Sequence, residues 1–149
     1  MPNLPNPIVY AGKIAEIFIA KLKKPQIPHQ IERAEFYAEQ LSMPAPVYLN
    51  VIPKLNYSPD DSNRDINVND LCGSLAYLCL EYPQIFDNVL GELRGHDQLL
   101  KNLTYNLTVV GQYSIGPLQR KEFIGKIIES TTNEDLKKFA TAMLSRVPE

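Results

Sequence analysis

The stretch Leu71-Cys72-Gly73-Ser74-Leu75-Ala76-Tyr77-Leu78-Cys79-Leu80 decides the fold of this chain. Wound as a helix, Leu71, Cys72, Leu75, Ala76, Leu78, Cys79 and Leu80 leave it apolar nearly all round, a surface that calls for burial on every side. Asn67 or Asn69 can cap its start. Pro83 stops it beyond Tyr82, because proline lacks the N–H that would continue the ladder. The apolar run is far too short to cross a bilayer, so it predicts the central helix of a soluble core.

Helical patterns continue downstream. Pro83 opens a segment in which Ile85, Phe86, Val89, Leu90 and Leu93 recur at helical spacing before Gly95. Leu99, Leu100, Leu103, Leu107 and Val110 follow ahead of Gly111. Pro117 suits a first helical position and leads Leu118, Ile124, Ile127 and Ile128. Thr131-x-x-Glu134 fits a capping box in front of Leu136, Phe139, Ala140, Met143 and Leu144.

Upstream, Asn6-Pro7 is a helix start, and Ile8, Ala11, Ile14, Ala15, Phe18 and Leu22 follow it at helical spacing. Lys21, Lys23 and Lys24 complement the dipole of the last turn, and Pro25 ends the segment. A second helix is expected from about Pro28 to Ser42, with Ile31, Ala34, Ala38 and Leu41 on one stripe and Glu32, Glu35 and Glu39 on the opposite one.

Residues 43–66 read as a proline-rich irregular segment, punctuated by Pro44, Pro46, Pro53 and Pro59. Val47–Ile52 fits a short strand or a turn or two of helix. A strand needs a pairing partner, and no second strand is evident, so a short helix or extended connector is favoured. The expectation is a single all-α domain over 1–149, with about six or seven helices in a compact bundle or a short HEAT-like superhelical stack.

Charge narrows the function classes. The net charge of −2 divides into +3 over residues 1–30, −7 over 31–100 and +2 over 101–149. An acidic middle argues against broad nucleic-acid binding, which needs a basic footprint to displace counterions. A smaller basic patch is conceivable from Lys21, Lys23 and Lys24 together with Arg120, Lys121 and Lys126. The start of the chain has no basic leader before a long apolar stretch, so a cytoplasmic protein is expected. Two cysteines, Cys72 and Cys79, make no disulfide framework and read as reduced core thiols.

Candidate chemistry is sparse. Asp61, Asn63 and Asp65 alternate as oxygen ligands do at the start of a calcium loop. Ile66 stands where that loop needs glycine, and Cys72 stands where it needs a bidentate acid, so a helix-capping turn of asparagines is favoured. Gly111-x-x-x-x-Gly116 begins like a phosphate-binding loop, but Pro117-Leu118 replaces the lysine and hydroxyl residue that reach the phosphates. His29 and His96 lack metal-spaced partners. No cofactor and no catalytic residue is assigned.

Tyr48 and Tyr57 fall in the irregular segment, where exposed tyrosines would offer contact area to a partner. The reading favoured is a non-enzymatic adaptor or scaffold that recognises another protein through a groove or its acidic middle. A subunit of a nucleic-acid complex using the lysine groups is the alternative.

Overall fold

The computed structural model describes residues 7–23, 31–56, 64–110 and 116–147. Within them the chain forms α1 (Pro7–Lys23), α2 (Ile31–Leu41), α3 (Ala45–Val51), a 3-10 turn (Ile52–Asn56), α4 (Arg64–Glu81), a second 3-10 turn (Pro83–Ile85), α5 (Phe86–Leu93), α6 (Asp97–Val109), α7 (Pro117–Ser130) and α8 (Glu134–Arg146). The described residues contain no strand.

The fold is organised around α4. Every residue from Leu71 to Leu80 is buried, as the all-round apolar pattern requires. Helices α1, α3 and α6 pack around it, with α6 the most extensive neighbour. Helix α1 contributes Ala11, Ile14, Phe18 and Leu22 to the same core and reaches forward to α5. A superhelical stack joins each repeat only to its neighbours, so these contacts between elements distant in sequence make the molecule a compact bundle. No helix among the described residues is long and apolar enough to cross a membrane.

Polar groups inside the bundle are matched. The Asn106 side chain donates to Asn69 Oδ1 at 3.0 Å and to the Asn102 carbonyl at 2.7 Å, tying α6 to α4. Ser74 Oγ donates to the Asn50 carbonyl at 2.8 Å and ties α4 to α3. Arg120, only 2% exposed, donates from Nη1 to the Leu107 carbonyl at 3.0 Å. Leu107 lies in the last turn of α6, where carbonyls lack intrahelical partners and the dipole favours a cation, so a buried guanidinium is well placed there.

Several local expectations change. Helix α4 begins at Arg64, so Asn67 and Asn69 lie within it and do not cap it; Asn69 serves as the acceptor for Asn106 across the helix pair. The capping box at Thr131 is displaced by two residues. Asn133 is the N-cap of α8, its side chain accepting from the Leu136 N–H at 2.9 Å, while Thr131 Oγ1 accepts from the Asn133 N–H at 3.0 Å.

Much of the segment expected to be irregular is helical. Pro44 and Pro46 sit at the N-cap and in the first turn of α3, where an N–H has no intrahelical partner, so proline costs nothing in hydrogen bonding. Val47–Ile52 is thus helical, and Pro53 falls where the helix tightens into the 3-10 turn.

Candidate functional site

Helix α2 turns most of its surface to solvent. Only Ala34, Ala38 and Leu41 of its eleven residues are buried. It packs on α1 and on the 3-10 turn after α3, while α3 packs on α4 and that same turn. The two helices are joined by a tight turn at Ser42 and Met43 and then diverge, leaving an open groove of about 610 Å³.

Glu32, Glu35, Phe36 and Glu39 line the α2 side of this groove. Their spacing of three, four and seven places them on one face of the helix. Met43 and Tyr48 join Ala38 and Ser42 in the lining, and among the described residues no lysine or arginine lines it. Phe36 is 55% exposed, and Leu49, the next residue of α3 after Tyr48, is 67% exposed. Phe36 meets Tyr37 edge-on with ring centroids 5.8 Å apart, and Tyr37 stacks on Tyr10 of α1 at 6.1 Å. The exposed ring therefore sits on a fixed aromatic base. Burial, and then the Glu35 carboxylate, hold the Tyr48 phenol above its ordinary pKa, so Tyr48 stays a neutral hydrogen-bonding group at physiological pH.

Helix α3 is held to the core by its inward side. Asn50 Nδ2 donates to the Pro46 carbonyl at 2.7 Å, and Val47 and Val51 are buried against the core. The α3 wall of the groove is thus a short helix whose opposite side, at Val47 and Val51, is packed into the core.

The other residues singled out from sequence do not gather into one site. The Lys21 ammonium donates to the Leu55 carbonyl, and Lys23 pairs with Glu92 at 3.7 Å. Lys126 pairs with Asp87 at 3.0 Å, and Arg120 is buried against α6. Four members of the proposed basic groups are therefore engaged within the fold. Lys24, Tyr57, His29, Asp61 and Asn63 lie outside the described residues, as does the glycine segment 111–115. Asp65 belongs to the first turn of α4, so the backbone from Arg64 onward is helix.

Cys72 and Cys79 are free, buried thiols. Burial pushes the Cys72 thiol up to about 12 and raises Cys79 as well, which leaves both protonated and unreactive at neutral pH. His96 is the residue preceding α6 and makes no side-chain capping bond there. No group of three or more His, Cys, Asp or Glu residues that could hold a metal ion occurs among the described residues.

Sequence reasoning located Tyr48 but passed over Phe36 and Leu49. The signal for Phe36 was legible: a large apolar residue lying off the Ile31, Ala34, Ala38, Leu41 stripe on an otherwise polar face. Leu49 had no such signal, because its orientation depends on whether residues 47–52 are helix or strand. No protein-family model matches the chain, and no curated protein or solved structure matches it either.

Proposed function

We propose that this chain is a non-enzymatic helical interaction module, an adaptor or scaffold domain that engages another protein through the α2–α3 groove. The observation that carries this reading is the pair of exposed apolar side chains on α2 and α3: Phe36, which lines the open groove, and Leu49, the neighbour in sequence of the groove residue Tyr48. Exposing them costs solvation free energy that the bundle does not recover internally, and apolar anchors beside a polar rim are how helical grooves capture partners. The buried state of both thiols fits a role without nucleophilic chemistry. A cytoplasmic setting fits two cysteines kept as unpaired core thiols.

The test is affinity capture from native, nuclease-treated lysate, comparing the wild-type chain with the Phe36→Ser, Leu49→Ser double variant. Both positions are exposed, so the variant should keep its helical circular dichroism and its melting temperature. A stoichiometric protein partner retained by the wild type and lost by the variant is expected. The same partners on both proteins would place the interface elsewhere, and partners lost on nuclease treatment alone would favour the nucleic-acid alternative.

A further inference from the structure

We infer that the occupant of the α2–α3 groove is a basic amphipathic helix of a partner protein, presenting lysine or arginine to the α2 carboxylates and an apolar side chain to Phe36 and Tyr48. This rests on the interaction reading above and adds the partner's chemistry. Three features of the groove converge on it.

The first is charge without compensation. Glu32, Glu35 and Glu39 repeat along one helix face, where carboxylates three and four apart repel each other. Among the described residues no lysine or arginine lines the groove to relieve them, and Lys21, Lys23 and Lys126 are each engaged elsewhere on the bundle. A cationic partner removes that repulsion, whereas phosphate would add to it.

The second is the helix dipole. The last turn of α2 carries no basic residue, and Glu39 adds negative charge close to the carbonyl end of the helix. The end of the groove nearest Ser42 and Met43 is therefore negative in both side chain and backbone, which selects for a cation.

The third is the apolar lining. Phe36 and Tyr48 offer ring faces that attract lysine and arginine as well as aliphatic groups, and Met43 adapts its shape to what lies against it. An open groove between two diverging helices suits a third helix laid along it, anchored at helical spacing.

The experiment titrates the full-length, ¹⁵N-labelled chain with a synthetic helical peptide of leucine and lysine, and with its counterpart carrying glutamate for every lysine. The lysine peptide should shift amides of α2 and α3 selectively. It should bind at least about tenfold more tightly than the glutamate peptide, an advantage that shrinks as salt is raised. The Glu32→Gln, Glu35→Gln, Glu39→Gln variant should bind the lysine peptide about tenfold more weakly, with the same amides shifting. Equal binding of both peptides in the groove would overturn the basic-partner inference and leave the interaction reading standing. Shifts scattered over other acidic surfaces such as Glu134 and Asp135, an unaffected glutamine variant, or no binding at all would also overturn it. The interaction reading itself stands or falls separately, on the Phe36 and Leu49 capture.

Discussion

Phe86 and Phe123 lie face to face, with ring centroids 3.9 Å apart and planes 9° from parallel. Both side chains are almost fully buried, and the stack joins the short helix α5 to α7. Lys126 and Asp87 form an ion pair between the same two helices at 3.0 Å, but on the exposed side, where solvent screening leaves such a pair little net effect. Attachment of α5 to α7 therefore rests on the rings. Phe123→Ala should cost about 3–5 kcal/mol in chemical denaturation, because it leaves a cavity facing Phe86, whereas Asp87→Asn should leave the denaturation midpoint nearly unchanged. Comparable losses from the two substitutions would show that the stack is not the main tie.

Two glycines in helix interiors should respond to alanine in opposite directions. At Gly73 an added methyl would lie 3.0 Å from Asn106 Oδ1, and that side chain is held by its bonds to Asn69 and Asn102. It cannot retreat without loosening the α4–α6 pair. At Gly12, in α1, an added methyl would meet nothing within 4 Å. Gly12→Ala should therefore stabilise by about 0.5–1 kcal/mol, the ordinary helix preference for alanine. Gly73→Ala should destabilise by about 1 kcal/mol or more as the asparagine contact is displaced. Thermal melts of the two variants should move to opposite sides of the wild type, and a stabilised Gly73→Ala protein would mean that Asn106 is free to yield.

These contrasts also mark what the sequence could and could not disclose. The all-round apolar run at Leu71–Leu80 placed the central helix because periodicity and burial are direct consequences of composition along one segment. Asn69 and Thr131 misled, since a polar residue near a helix start has the same local signature whether it caps that helix or bonds to a distant one. Asn69 takes its hydrogen bond from Asn106, 37 residues away, and Asn133 takes the cap that Thr131-x-x-Glu134 advertised. Pro44 and Pro46 read as breakers, yet their positions at the head of α3 turn them into initiators. The groove itself was beyond local reading, because it is defined by α2 and α3 packing on different neighbours. Only half of its character, the acidic stripe and Tyr48, was visible beforehand.

The core thiols should make stability fall at high pH. Burial raises Cys72 to about 12 from an ordinary 9.0, and Cys79 moves in the same direction. A group that holds its proton more tightly when folded contributes stability that is fully present below the unfolded pKa and is lost as pH rises through the folded one. For Cys72 that window opens near 9 and runs to about 12, with a loss of about 1.4 kcal/mol per pH unit within it. Tyrosines such as Tyr48 and Tyr82, also raised, add to the slope with the same sign. The difference between wild type and Cys72→Ala isolates the thiol: the variant should be less stable at neutral pH because of its cavity, but its denaturation midpoint should fall less steeply above the thiol's ordinary pKa. Parallel pH profiles would mean that the Cys72 thiolate is tolerated in the core.

Ser42 closes α2 in the left-handed region, with φ of 55°, the only non-glycine among the described residues to do so. Its N–H donates to the Glu39 carbonyl at 3.0 Å and the Met43 N–H to the Ala38 carbonyl at 3.0 Å, the paired bonds that end a helix and usually place glycine at this position. A side chain in this conformation costs about 1–2 kcal/mol, partly offset by the greater entropy that glycine loses on folding. Ser42→Gly should therefore stabilise the protein by about 0.5–1 kcal/mol without moving either helix. Ser42 also lines the groove, at the end where Glu39 and the α2 carbonyls concentrate negative charge. Since the serine hydroxyl adds no charge there, affinity for the leucine–lysine peptide should stay within about twofold of wild type. A stabilised variant with unchanged affinity would separate the strain at the turn from recognition by the groove, while a marked loss of binding would make the Ser42 side chain a contact in its own right.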